Sequence, residues 1–288
     1  MRLVSVIITT YKREPPILKR ALESVINQTY KEIEIIVVDD SPSDYLRRDE
    51  IEKLVNGYES VRYIKHDTPQ GACVARNTGM NQSHGEFIAF LDDDDEWYPQ
   101  KIEKQLNAVV NDKIALVYCG NDVINDDTGV FKHDKRKFVS GMIFESLLED
   151  NFIGSTSYPL LRKDRLVEIG GFDSLMQSSQ DYDVWLRIAN KYEVTYIEEP
   201  LVLYHVHSGE QITKYPKKKI AGLERIYSKN KEYIESNPKA KWSRTIKIAP
   251  FYAMEGNKRK ALSLWIVAVM SCPFKIKKNI RYLVEILK

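Results

Sequence analysis

Four consecutive aspartates, Asp92 to Asp95, carry the strongest chemical signal in the sequence. They follow the apolar segment Glu86–Leu91, which we interpret as a buried strand, so they should lie at its carboxyl end. Adjacent carboxylates repel one another unless a divalent cation or solvent relieves the repulsion. A bound cation could bridge these carboxylates to phosphate oxygens. The pattern therefore predicts a metal-assisted phosphate site.

Two further polar clusters follow earlier predicted strands. Thr9, Tyr11 and Arg13 come after the first strand, and Asp39 and Asp40 come after the second. If the strands are parallel, all three clusters lie at one edge of a sheet, where the ligands of such sheets bind. For any single aspartate the alternative is a cap on the helix or turn that follows it.

Other phosphate chemistries lack their signatures in this sequence. Neither G-x-G-x-x-G nor G-x-x-x-x-G-K-[ST] occurs, so a glycine-rich loop with helix N-terminal amides is not the predicted phosphate cradle. Phosphatases with an aspartyl nucleophile need Asp-x-Asp followed by Thr or Val, and neither follows the acidic run. A metal is the remaining means of holding phosphate.

The first half of the chain alternates β-rich apolar runs with amphipathic helical patterns, which predicts an α/β fold with a mostly parallel sheet and helices on both faces. The predicted βαβαβαβ order is Leu3–Thr9, Pro16–Gln28, Ile33–Val38, Asp49–Asn56, Val61–Ile64, Gly71–Ser83 and Glu86–Leu91. Farther along, we predict helices over Pro99–Val110, Met142–Asp150 and Asp181–Tyr192, and strands over Ala115–Gly120, Val194–Ile197 and Leu201–His205. Beyond Tyr215 the pattern is helical.

Charge divides the chain in two. The net charge is +2, but residues 213–288 carry +14 and the preceding residues carry −12. We therefore predict a catalytic domain over residues 1–212 and a basic helical region over 213–288, whose charge suits an anionic surface. Three widely separated cysteines favour a reducing compartment. The first apolar run is too short for a signal peptide, so a cytoplasmic location is expected.

Six motifs stand in order along about the first 210 residues: Val4–Tyr11 with Arg13, Val37–Ser41, Ala75–Gly79, Leu91–Asp95, Gly170–Asp173 and Gln180–Arg187. Together they resemble the ordered motifs of family 2 glycosyltransferases. The order and spacing of the six motifs carry this resemblance. The resemblance implies a GT-A type fold, a nucleotide-sugar donor, Mn²⁺ or Mg²⁺ as cofactor, and inversion at the anomeric carbon.

The resemblance also implies roles for the residues at the ends of the first two strands. Thr9, Tyr11 and Arg13 would belong to the nucleotide site, with Thr9 and Tyr11 lining the nucleobase pocket. Asp40, with Asp39 behind it, would accept a hydrogen bond from the base. In the acidic run, Asp93 or Asp92 would hold the ribose.

By the same resemblance, Asp94 would bind the metal ion and Arg76 would lie near the base or the diphosphate. The alternative for Arg76 is a surface position on the helix predicted over Gly71–Ser83. Asn77 and Gly79 are interpreted as structural, since Gly79 would let this helix pack closely against the sheet.

Asp181 is the predicted catalytic base. Inversion needs a carboxylate on the acceptor side to take a hydroxyl proton as the glycosidic bond forms, and the positive end of the helix beginning there tolerates an acid. The alternative is a helix cap or first-turn acid. Family members commonly carry Glu before this aspartate, whereas this chain has Gln180, a departure that affects acceptor contacts more than the base.

His207 follows the last predicted strand, where similar enzymes often carry a segment that closes over the diphosphate. His205 and His207 alternate with valine and so share a strand face. His207 is therefore predicted to contact the diphosphate or the metal. The alternative is an ordinary surface or core histidine.

The basic region includes the apolar run Ala261–Met270, bracketed by lysines and arginines. This run is about half of the ~20 residues that a membrane-spanning helix requires. Two explanations of the run are equally good. One is the packing of helices against one another. The other is an interfacial surface in which Trp265 enters the headgroup layer and lysines contact anionic lipids.

The resemblance to family 2 glycosyltransferases implies an enzyme that transfers sugar from a nucleotide diphosphate donor, most simply a UDP-sugar, to a saccharide or lipid-linked acceptor in cell-surface polysaccharide synthesis. The alternative is a non-catalytic nucleotide-sugar-binding subunit of a polysaccharide assembly complex, which would not need Asp181. Nucleic acid is not a predicted partner, because the tail's aromatic residues do not form a stacking platform and no recognised motif occurs.

Overall fold

A computed structural model describes residues 2–206 and 215–288 of the chain. The described residues form two compact units. The first comprises residues 2–143, 152–174 and 187–206, and the second comprises 144–151, 175–186 and 215–288. Their discontinuous course means that two short segments of the predicted catalytic domain belong to the same unit as the C-terminal helices.

The first unit is built on a sheet that contains nine strands among the described residues. The order across the sheet is β3-β2-β1-β4-β8-β6-β9-β5, and β7 pairs with β6. Strands β3, β2, β1 and β4 run parallel, as do β6 and β9. The strands are β1 (Val4–Thr10), β2 (Ile33–Asp39), β3 (Val61–Lys65), β4 (Phe87–Asp92), β5 (Glu96–Trp97), β6 (Ile114–Asn125), β7 (Phe131–His133), β8 (Leu160–Arg162) and β9 (Glu193–Val206).

Strand register brings the predicted site residues to one edge of this sheet. Thr9 pairs with Val38 on one side and with Asp92 on the other, while Thr10 pairs with Asp39. The ends of β1, β2 and β4 therefore meet, as the parallel pattern predicts. Buried side chains such as Val4, Val6 and Ile8 form the core beneath them with residues of the flanking helices.

Helices α1 (Pro15–Ile26), α2 (Arg48–Asn56), α3 (Ala72–Gln82), α4 (Lys101–Asn107) and α6 (Lys163–Glu168) belong to the first unit. Proline at the first helical position and apolar residues repeating at helical spacing account for α1, which buries Leu18, Ala21, Leu22 and Val25. The sequence pattern predicts all of these helices except α6.

Helices α5 (Phe144–Glu149), α8 (Pro216–Lys229), α9 (Lys231–Ser236), α10 (Pro238–Met254), α11 (Lys258–Ser271) and α12 (Ile276–Leu287) belong to the second unit. Its core includes Trp242, Ile246 and Ala268, with the partly buried Trp265 packed against them. Helix α7 (Gln180–Ala189) begins in this unit. Within the described part of the chain, none of the helices has the length and apolarity needed to span a membrane.

The structure departs from the predicted elements mainly in the second half of the sheet. Strand β6 continues to Asn125, and the two strands predicted near residues 194–205 form the single strand β9, which contains irregular register. These two strands support each other by pairing along most of their length, a long-range effect that local patterns do not report.

Candidate active site

The end of β2 is held by a dense set of hydrogen bonds around Asp39. This carboxylate is fully buried and accepts from the Ser41 amide at 2.8 Å and from the Tyr63 hydroxyl at 2.6 Å. Burial and the hydrogen bond to Asp39 raise the pKa of Tyr63. Asp39 thus shapes the turn that carries Asp40.

Both carboxylate oxygens of Asp40 contact other parts of the first unit. Oδ1 accepts from the Gln70 amide at 2.8 Å and lies 2.7 Å from His66 Nδ1, and Oδ2 accepts from the Gly71 amide at 2.7 Å. Gly71 has φ +91°, which favours glycine there. Asp40 therefore anchors the turn into α3 and keeps part of its acceptor capacity for a ligand, since a carboxylate has about four acceptor positions.

Helix α3 presents Arg76 to the residues Asp92–Asp95, which we call the acidic loop, and it also contacts the Gly170–Asp173 motif. Arg76 Nη2 donates to Asp92 Oδ1 at 2.8 Å, so Arg76 is not merely a surface residue. Asn77 makes two hydrogen bonds to the backbone of Phe172. A Cβ at Gly79 would lie 2.5 Å from Ile7 Cγ2, which confirms that the glycine permits close packing on the sheet.

Asp92 is held in place by hydroxyl groups as well as by Arg76. Thr156 donates to Oδ1 at 2.8 Å and Ser155 to Oδ2 at 3.0 Å. Burial opposes ionisation, but Arg76 and these hydroxyls keep the pKa of Asp92 below its usual value. The side chain is therefore a fixed anion at the end of β4.

Arg13 bridges the next two aspartates. Its Nε and Nη2 lie 2.9 and 2.7 Å from Asp93 Oδ1, and Nη2 donates to Asp94 Oδ2 at 3.0 Å. Among the described residues, Asp93 Oδ2 and Thr10 Oγ1 are buried without a hydrogen-bond partner. Burial raises the pKa of Asp93 despite the opposing effect of Arg13. The Thr10 hydroxyl lowers the pKa of this carboxyl, so the two groups interact in part, and the acceptor is suited to a polar ligand.

The acidic loop continues into a second charged cluster. His205 Nδ1 lies 2.6 Å from Asp126 Oδ1, and its Nε2 lies 2.9 Å from Glu96 Oε1. Arg20 lies 3.4 Å from Glu96 and donates to the Asp94 carbonyl at 2.9 Å. These contacts fasten the end of β9 to the acidic loop.

Two non-glycine residues in the described structure have positive φ, and both adjoin predicted site residues. Lys12, with φ 48°, lies between Tyr11 and Arg13, and its amide donates to Ser41 Oγ at 2.8 Å. Ser179, with φ 56°, precedes Gln180. Such conformations cost about 1–3 kcal/mol and are concentrated at functional sites.

Asp181 lies in the second unit, in the first turn of α7. It is half-buried, and its Oδ1 accepts from the Tyr182 amide at 2.7 Å. Burial lowers the pKa of Lys219, and the Asp181 carboxylate opposes that effect. The carboxylate therefore has a basic neighbour within its own unit.

The carboxylates of the acidic loop fit a Mn²⁺ or Mg²⁺ ion that is shared with a substrate. Within residues 2–206 and 215–288, no three His, Cys, Asp or Glu side chains form a ready-made metal group. Mg²⁺ is usually held by one or two carboxylates together with substrate phosphates, however. Asp94, which is 25% exposed, fits that mode.

The structure thus brings most of the predicted nucleotide residues together in the first unit. Tyr11 is half exposed beside this cluster, and His207 lies outside the described residues. Sequence reasoning missed the hydroxyl segment Ser155–Ser157, which holds Asp92 and Asp95. It also assigned no context to His66, although a histidine next to a strand end is a weak signal that could have been followed.

Fold and strand-end cluster together define a GT-A-like glycosyltransferase. The structure of TarS from S. aureus matches with a TM-score of 0.64 and 14% identity, covering 96% of this chain and 50% of the TarS chain, a likeness of fold alone. The chain belongs to glycosyl transferase family 2, whose model matches residues 5–170. The predicted family and fold are therefore confirmed.

Two relatives from Escherichia coli are glycosyltransferases by name. The putative colanic acid biosynthesis glycosyl transferase WcaA of strain K12 is 29% identical over 244 residues, 80% of this chain and 82% of WcaA. The UDP-Glc:alpha-D-GlcNAc-diphosphoundecaprenol beta-1,3-glucosyltransferase WfgD is 31% identical over 186 residues, 65% of this chain and 69% of WfgD. The match to family and relatives supports a transferase activity.

Proposed function

We propose that this glycosyltransferase is metal-dependent and inverting, and that it moves a sugar from a nucleotide diphosphate sugar to a saccharide or lipid-linked saccharide. The observation that carries the proposal is the arrangement of Arg13 and Arg76 on Asp92, Asp93 and Asp94 where β1 and β4 end. Fixed guanidinium and carboxylate groups at this edge are suited to a diphosphate and its cation.

Charge supports metal dependence. When these five side chains are ionised, three carboxylates against two guanidinium groups leave a net charge of −1, which disfavours an anionic diphosphate. A divalent cation makes the net charge +1 and reverses that preference. Asp94 would hold the cation, and the bound cation would neutralise the departing diphosphate.

The donor's nucleoside is assigned to the neighbouring strand ends. Thr9 and Tyr11 would line the base pocket, with Asp40 accepting from the base through its remaining acceptor capacity. Asp93 Oδ2 would accept a hydrogen bond from a ribose hydroxyl. Asp92 is less suited to this role, because its two oxygens already accept from Arg76, Ser155 and Thr156.

Asp181 is the proposed base. Its carboxylate would take the proton of the acceptor hydroxyl while that oxygen bonds to the anomeric carbon and the bond to the diphosphate breaks on the opposite face. One displacement of this kind inverts the anomeric carbon. The first turn of α7 and the strained Ser179 support this role, because both fix the position of the carboxylate.

The names of two relatives support a proposal for the substrate class. WfgD is named for transfer of glucose from UDP to a diphosphoundecaprenol-linked sugar, and WcaA for colanic acid biosynthesis. By analogy we propose a UDP-sugar donor and a lipid-linked acceptor in cell-surface polysaccharide synthesis, at the cytoplasmic side of the membrane.

Asp181→Asn tests the proposal against a binding subunit. The variant should bind donor with unchanged affinity while transfer falls by about 10²–10⁴, the usual contribution of a general base. Glu145→Gln is the matched control, since Glu145 is an exposed first-turn acid of α5 in the same unit. Full transfer activity of Asp181→Asn would refute the role of Asp181 as general base. It would leave only a helix cap, since Asn caps helices as well as Asp does.

A further inference from the structure

The junction between α11 and α12 exposes an unusual set of large apolar side chains. Phe274, in the connection, is 94% exposed, and Met270, at the end of α11, is 78% exposed. Along α12, a stripe of exposed residues recurs every three or four positions: Ile276, Ile280, Val284 and Leu287. We call these six residues the α12 surface. Water contact with so many apolar groups is costly for a surface without a partner.

Basic residues border this stripe on one side. At 3.6 residues per turn, Lys277, Arg281 and Lys288 lie next to the apolar stripe and away from the buried Asn279 and Ile286. From residue 257 to 288 there are eight Lys and Arg against the single acid Glu285. An apolar stripe beside a cationic one is the pattern of helices that lie in a membrane interface.

The sequence left two alternatives for Trp265, helix packing and the headgroup layer, and the structure supports helix packing. The indole nitrogen of Trp265 donates to the Asn279 carbonyl at 2.8 Å, and its ring lies against the core near Trp242 and Ile246. The apolar run Ala261–Met270 is thus divided between core and surface. Of this run, the α12 surface includes only Met270, and its other five residues lie farther along the chain.

We propose that the α12 surface binds bilayers that contain anionic lipids, with Phe274 and the apolar stripe among the acyl chains and the basic border at the phosphates. A second copy of this chain fits less well, because a symmetric contact would oppose Lys277 and Arg281 to their own kind. The proposal goes beyond sugar transfer, since it needs neither donor nor metal.

Vesicle sedimentation with the full chain tests the proposal. Vesicles of phosphatidylcholine with phosphatidylglycerol should bind the protein, and vesicles of phosphatidylcholine alone should not. Lys277→Gln with Arg281→Gln should weaken binding about 20-fold or more, at roughly fivefold per basic residue. The triple variant Phe274→Ser, Ile276→Ser, Ile280→Ser should lose binding by at least about a hundredfold.

Matched controls are Leu46→Ser with Val110→Ser, which remove exposed apolar residues of the first unit, and Lys113→Gln with Lys135→Gln, which remove exposed lysines there. Both should bind vesicles as the parent does. Failure of the parent to bind anionic vesicles would overturn the proposal, as would parent-like binding by the triple variant. Light scattering that shows a dimer broken by the triple variant, without vesicle binding, would assign the surface to a second copy instead.

Discussion

Arg13 acts as an internal counter-ion for Asp94, the carboxylate that we assign to the metal, so Arg13→Gln should tighten the binding of Mn²⁺ in the absence of donor. The guanidinium is 23% exposed and lies 2.7 Å from Asp93 and 3.0 Å from Asp94. A charge-assisted hydrogen bond contributes about 1.5–3 kcal/mol. Removing one that competes with the cation should therefore increase Mn²⁺ affinity by roughly ten- to a hundredfold.

Electron paramagnetic resonance of free Mn²⁺ measures this affinity directly. Arg20→Gln is the control, because Arg20 donates to the main-chain carbonyl of Asp94. With Mn²⁺ saturating, the nucleotide diphosphate should bind Arg13→Gln more weakly than the parent, since the guanidinium would also meet phosphate. Equal Mn²⁺ affinity in Arg13→Gln and the parent would refute the view of Arg13 as a counter-ion at the metal site.

Two further predictions use other buried groups. Asp40→Asn should lower the affinity for a nucleotide diphosphate by roughly ten- to a hundredfold in calorimetry. It should also lower stability in urea unfolding, because the amide cannot accept from both Gln70 and Gly71 while facing His66. Unchanged nucleotide affinity would show that Asp40 is not part of the site. Lys101 is fully buried, and burial lowers its pKa from 10.5 to about 8. Below pH 8 its buried charge should cost on the order of 3 kcal/mol, and stability should recover from pH 8 to 10.5, where the unfolded chain binds more protons. Lys101→Met should lack that rise in urea unfolding, and parallel pH profiles would contradict the reasoning.

Local sequence patterns were sufficient for the strands and helices that form the site edge. Strands β1, β2 and β4 are apolar runs ended by polar residues, so both their existence and the position of Asp39 and Asp92 follow from the sequence. Gly79 likewise indicated a close approach of α3 to the sheet, and in the structure the side chain of Ile7 packs against this glycine. The strand ends at the site depend on residues that are close in sequence and on the regular pairing of parallel strands.

Contacts between distant segments could not be predicted in the same way. Ser155 and Thr156 reach Asp92 because β8 pairs with β4, and three adjacent hydroxyls have no periodicity that would reveal it. His205 meets Asp126 and Glu96 for a similar reason, since β9 pairs with both β6 and β5. Such contacts arise from tertiary packing, which local propensity does not report.

A nucleotide-sugar hydrolysis screen with and without Mn²⁺ tests the central claim most directly. We predict that the parent hydrolyses at least one UDP-sugar in Mn²⁺, that chelation stops the reaction, and that Asp94→Ala is inactive although folded. The release of nucleotide diphosphate reports all three results in one assay. Absence of hydrolysis with every nucleotide sugar, or a parent rate that neither chelation nor Asp94→Ala lowers, would contradict the account.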